Sequence, residues 1–122
     1  MASKGLMKNK VEKVAPKGTA SIASHNQTPR KMRLVTDLVK GKTVPAALAQ
    51  LTFLPKRAAE PVKKLIASAA ANAKAKGENP DTLRVASIRV DTAGMIVKYM
   101  PRAHGRATPI RHRKSQIVVE LA

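Results

Sequence analysis

Residues 100–116 read MPRAHGRATPIRHRKSQ, and how this stretch is accommodated decides the fold. It holds four arginines and a lysine, two prolines, one glycine and two histidines, with no acid. Outward from it, the chain carries no carboxylate from Gly94 to Val119, while MIVKYM on one side and PIRHRKSQIVV on the other keep β-type residues. A loop of this length inside a small domain is either functional or disordered. The run of like charge favours disorder, whereas the β-rich flanks favour an extended two-stranded ribbon. In the ribbon reading Gly105 is the turn residue. Pro101 and Pro109 stand almost equally far on either side, where a ribbon edge tolerates the missing donor. If the outgoing arm begins near Ile88, each arm has about 17 residues and reaches on the order of 50 Å at roughly 3.3 Å per residue. An isolated two-stranded ribbon is marginal in water, so something outside the chain must hold it, and the charge makes that partner phosphate-rich.

The segments around the ribbon read as strands and helices. SQIVVELA at the C-terminus alternates Ile117, Val119 and Leu121 with polar or half-polar neighbours. LRVASIRVD is strand-like, but its alternation changes phase near Ala86 and Ser87, which predicts a bulge or strong twist. TASIASHN, with Ala20 and Ile22 on alternate positions, is read as a short strand. In TPRKMRLVTDLVKGK, Thr28 is placed to cap a helix, Pro29 suits its first position and Gly41 a left-handed exit. Met32, Val35, Leu38 and Val39 then face the core. VPAALAQL reads as a second helix with Leu48 and Leu51 inward. A third is expected to open at Pro55 and end at Gly77, with Ala58, Ala59, Val62, Leu65, Ile66, Ala69, Ala70 and Ala73 inward. Pro61 conflicts with that span, since it cannot bond the carbonyl of Arg57, and a bend or irregular first turn is expected there.

Size and composition bound the function. A chain of 122 residues supports one domain. Lys and Arg number 24 against seven Asp and Glu, a net charge of +17, so the compact state is easier to hold beside a polyanion. Nucleic acid is the leading partner. An anionic membrane surface ranks second and is weak, because no apolar run approaches the roughly 20 residues of a spanning helix. The start, MASKGLMKNKVEKVAPKG, lacks the continuous apolar core of a signal peptide, and its Arg-free makeup does not suit a transit peptide. Residues 1–18 are read as a basic extension, either a solvated disordered end or an arm that orders on phosphate. No cysteine is present, which removes disulfides and thiolate metal sites and fits a cytoplasmic protein. Phe53 and Tyr99 are the only aromatics, so the chain cannot build a base-stacking platform of several rings. Nucleic-acid contact must run through phosphates, sugars and shape. Tyr99 either stacks on a base or covers the base of the ribbon.

Enzyme readings find little support. His25, His104 and His112 are the only histidines, and no carboxylate lies near the two in the arm. Ser115 close to His112 has no orienting acid in the sequence, and no phosphate-binding glycine loop occurs. No catalytic residue, metal or cofactor is expected.

Three stretches carry a resemblance. SxxAxxxxxTPRKMRLVTDLVKGK, AAxPVKKLIASAAANAKAK and IRVDTAGMIVKYMPRAHGRATPIRHRKSQIVVEL are similar to the bacterial L-twenty-two family of large-subunit ribosomal proteins, from about Ala20 to the C-terminus. Met100, Pro101, Arg102, Ala103, Gly105, Arg106 and Ala107 match the family's arm tip. The resemblance implies an α+β fold: a small three-stranded antiparallel sheet packed with three helices, plus one long protruding β-hairpin at about 88–117. It implies that residues 19–122 form a single rRNA-binding domain on the large subunit that supports subunit assembly. The hairpin tip, Arg102, Ala103, His104, Gly105, Arg106 and Ala107, would line the nascent polypeptide exit tunnel. Partners would be large-subunit rRNA, neighbouring ribosomal proteins and the nascent chain, with no membrane and no homo-oligomer. The resemblance gives no role to residues 1–18, nor RNA contact to SIASHNQ, which is less basic than the family there. The phosphate-contacting set is Arg30, Lys31, Arg33, Lys40, Lys42, Lys56, Arg57, Lys63, Lys98, Arg102, Arg106, Arg111, Arg113 and Lys114. The alternative from another class is a DNA-binding architectural protein with a basic β-ribbon arm; such proteins normally dimerise, and this chain shows one arm and no obvious dimer seam.

Overall fold

A computed structural model describes residues 16–122. The chain order is β1 (Gly18–His25), α1 (Pro29–Val39), α2 (Val44–Phe53), α3 (Ala59–Ala75), β2 (Val85–Pro101) and β3 (Ala107–Leu121). The three strands form one antiparallel sheet in the order β1-β3-β2, so the C-terminal strand is central. This is the expected α+β architecture. Of the extension expected at 1–18, residues 1–15 lie outside the described ones. The Lys17 N–H already donates to the Leu121 carbonyl (2.8 Å), and Gly18 opens β1.

The core is aliphatic and sits between the helices and one face of the sheet. Met32, Val39, Val62, Ile66, Val85, Ile117, Val119 and Leu121 are fully enclosed. Both aromatics are outside it, Phe53 on α2 and Tyr99 on the arm. In β3 the buried residues are Ser115, Ile117, Val119 and Leu121, the odd positions of a period-two strand. In β2 the buried set is Val85, Ile88 and Val90. The phase change is a bulge: Val85 faces Leu121 and Ser87 faces Glu120, so β2 holds one more residue than β3 there, as the sequence predicts.

Helix α1 buries Met32, Val35, Thr36 and Val39 against the sheet, a stripe at helical spacing. Leu38, expected in the core, is 42% exposed. At 3.6 residues per turn it lies roughly 110° from the centre of the stripe, too far round to reach the sheet. Thr28 has the extended backbone of a cap but makes no side-chain capping bond. At the other end Lys40 is extended and the left-handed residue follows it, Gly41 at φ 80°. The Gly41 N–H then donates to the Val85 carbonyl (2.9 Å), tying the helix exit to the start of β2. In α2, Val44, Ala47 and Leu51 are buried and Leu48 packs half-buried against the core.

Helix α3 begins at Ala59, four residues later than expected. Pro61 explains the difference. In a helix opening at Pro55 it would strand the Arg57 carbonyl, whereas as the third residue of α3 it lacks only an N–H that no helical carbonyl would accept. The expected inner face is otherwise buried, with Ala70 partly so. Its alanines let β1 approach closely: a Cβ on Gly18 would sit 2.5 Å from the Ala69 carbonyl oxygen and 2.8 Å from Ala73 Cβ. Asn72 Nδ2 closes the contact by donating to the Thr19 carbonyl (2.7 Å).

Beyond the body, β2 and β3 continue as a two-stranded ribbon. β1 accompanies β3 only as far as Ser115, which pairs with His25. The free-standing part therefore starts past the Thr92–Ser115 pair and runs to Pro101–Ala107, roughly 30 Å at about 3.3 Å per residue. This is shorter than the reach counted from Ile88, because Ile88, Val90 and Ile117 belong to the core. A second bulge marks the root, where Thr92 pairs with Ser115 and Met95 with Arg113, leaving one extra residue in β2 and Gly94 at φ 102°.

Candidate nucleic-acid interface

Cations dominate the exposed surface, and few are neutralised within the chain. Three ion pairs form among the described residues: Lys17–Glu78 (3.8 Å), Lys64–Glu60 (3.4 Å) and Arg89–Asp91 (2.8 Å). None involves the fourteen bases singled out from the sequence. Two of these fourteen are held by neutral groups instead. Arg33 Nε and Nη2 donate to the Val90 carbonyl (3.3 and 3.0 Å), anchoring α1 to β2, and Lys42 Nζ donates to Gln50 Oε1. Arg33 is therefore a structural clamp as much as a surface charge.

Seven of the fourteen converge on one cleft of about 840 Å³ beside the root of the arm. Lys31 on α1 and Lys56 and Arg57 in the turn before α3 form one wall. Lys98, Arg111, Arg113 and Lys114 of the arm line the other side, Lys98 from one face of the ribbon and Arg111 and Arg113 from the other. No acid lines it. Its floor is apolar, with Leu34 and Leu38 of α1, Leu54 after α2 and Ile96 of the arm, and Asn26, Gln27 and Thr28 close its inner end. The sequence reading missed this floor. Helical periodicity places Leu38 in the core and gives Leu34 no role, whereas both are exposed, Leu34 at 68%, and form an apolar surface away from the core. Asn26 and Gln27, in the stretch given no contact, also line the cleft. Arg30, Lys40 and Lys63 lie outside it.

The arm's pairing sorts its side chains. Met95 faces Arg113, Val97 faces Arg111 and Tyr99 faces Pro109 on one side; Ile96 faces His112 and Lys98 faces Ile110 on the other. Met95, Ile96, Val97, Tyr99 and Met100 are all well exposed. The tip is a five-residue loop from Arg102 to Arg106, closed by the Arg102 N–H donating to the Arg106 carbonyl (2.6 Å). Gly105 is left-handed, as a turn residue should be (φ 71°). His104 before it is left-handed too (φ 62°), which its sequence position did not signal. Arg102, Ala103, His104, Arg106 and Ala107 are all exposed.

Ser115 is fully buried while His112 is exposed on the opposite face of β3. Among the described residues no three His, Cys, Asp or Glu side chains come together as a metal site, and no helix is long and apolar enough to cross a membrane.

Comparison with known proteins places the chain among relatives. The chain is 46% identical over 105 residues to the large ribosomal subunit protein uL22 of Pelobacter propionicus, covering 85% of this chain and 95% of that protein. It is 47% identical to the uL22 of Myxococcus xanthus, covering 85% and 94%, and 50% identical to that of Syntrophotalea carbinolica, covering 77% and 86%. The family described as Ribosomal protein L22p/L17e matches residues 20–122, a span that takes in the helices, the cleft and the whole arm, and the chain belongs to that family.

Proposed function

We propose that this protein is a structural, non-enzymatic constituent of the large ribosomal subunit in the cytoplasm. It binds large-subunit rRNA through the cleft and the arm, contributes to subunit assembly beside neighbouring ribosomal proteins, and lines the nascent polypeptide exit tunnel with the tip from Arg102 to Ala107. Family membership supports the ribosomal assignment. The observation that carries the RNA reading is the placement of charge: fourteen bases, none ion-paired to a described carboxylate, nine of them on one cleft and on a ribbon the body cannot cover. Lys and Arg neutralise phosphates and release their counterions, so affinity falls steeply with salt. Contacts of this kind fix RNA helices in register without reading sequence.

The tip is tested by charge reversal. Arg102→Glu and Arg106→Glu leave the body folded, because both side chains are exposed and far from the core, and they disturb docking of the arm. Subunit assembly and crosslinking from Ala103 or Ala107 to nascent chains are the readouts. If both variants assemble and crosslink like the parent, the tip has no such role.

A further inference from the structure

The cleft combines two features that phosphate binding alone does not require. A double helix laid across its mouth would meet the cationic walls through phosphates and sugars and leave the leucines unused. An apolar peptide would use the leucines but gain nothing from seven cations with no acid among them. An unpaired RNA segment uses both, since each nucleotide carries a phosphate and a base with an apolar face. The volume of about 840 Å³ falls in the roughly 300–1,000 Å³ range of pockets that enclose small ligands. That admits one or a few nucleotides but not a duplex. Among the lining residues, Gln27 has its Oε1 buried without a hydrogen-bond partner in the protein. Base amino groups and ribose hydroxyls are donors that a turned Gln27 side chain can meet.

We propose that the cleft between α1, the turn before α3 and the root of the arm captures an unpaired RNA segment. Its bases lie on Leu34, Leu38 and Ile96, and its phosphates lie between Lys56 and Arg57 on one wall and Lys98, on the same face of the ribbon as Ile96, on the other. This rests on the RNA reading above and adds which form of RNA is bound and where the base goes.

The test separates base contact from charge. The full chain is titrated with a short single-stranded RNA of mixed sequence, and with the duplex that RNA forms with its complement, over a series of salt concentrations. The double variant Leu34→Ala, Leu38→Ala weakens single-strand binding by about tenfold at every salt concentration, the size of a lost base contact, with an unchanged salt slope and unchanged duplex binding. Lys56→Ala and Lys98→Ala each reduce the single-strand slope by about 0.7. No loss on the single strand, or an equal loss on both forms, overturns the site while leaving the RNA reading standing. Salt-insensitive binding by the parent chain overturns both. A photo-crosslinker at Leu34 in assembled subunits keeps the question open to test should the double variant misfold: linkage to an unpaired rRNA nucleotide supports the site, and linkage to another protein overturns it.

Discussion

At Gly18 a strand and a helix meet more closely than any side chain allows. The residue is buried against Ala69 and Ala73, and a Cβ there would lie 2.5 Å from a backbone oxygen that cannot swing away. Its backbone is not left-handed, so the need for glycine is one of space. Gly18→Val should therefore destabilise the fold by about 1–3 kcal/mol through overpacking. Urea denaturation reads this directly, and a midpoint equal to the parent's would show that α3 can shift to make room. Residue-scale features of this kind are poorly legible in sequence. Gly18 stands at the end of a lysine-rich run that reads as a tail, and nothing local marks it as a packing site. Leu34 and Leu38 fail for a related reason. They widen the apolar face of α1 beyond the stripe the sheet covers, and helical periodicity alone cannot say where a neighbour ends.

Elements were more legible, because alternation and proline chemistry act over several residues. The clean alternation of Ile117, Val119 and Leu121 gave β3, and the broken alternation at Ala86 and Ser87 gave a bulge that the pairing contains. Pro61 carried the right warning about α3, though the outcome was a later start and not a bend. The arm is an element with little stake in the body: its side chains beyond Thr92 are largely exposed, and the strands bury their core residues on the body side of Ser115. Replacing residues 93–114 with an Asn-Gly turn should thus leave body stability within about 1 kcal/mol, since a two-stranded ribbon without a core is marginal and its cross-strand pairs do little more than offset the entropy of ordering it. Thermal unfolding followed by circular dichroism checks it. A much larger loss would mean that the ribbon props up the sheet.

On the scale of the whole molecule, self-repulsion is the governing term. With a net charge of +17 and few internal ion pairs, the body folds against its own field. A short polyanion added at low ionic strength should raise the melting temperature, and the gain should fade as the screening length drops below about 10 Å near 0.1 M salt. Scanning calorimetry over a salt series measures both. A polyanion without effect at low salt would sink the idea that this surface is built for phosphate. Net charge and arm length announced a polyanionic partner from the sequence. The cleft did not show there, because its walls come from α1, the turn before α3 and the arm, segments far apart in the chain.

The extra residue at Gly94 has a consequence for how the arm meets its surroundings. Because β2 gains one position there, Lys98 comes to lie on the face opposite Arg111 and Arg113. Deleting Gly94 would shift the outgoing strand by one and crowd Lys98 beside the two arginines, leaving Lys114 at the root as the one lysine or arginine on the far side of the ribbon. With the bulge in place the arm is positive all the way round. Such a rod has no front and no back: it is made to be enveloped by polyanion on every side and not merely to rest against one.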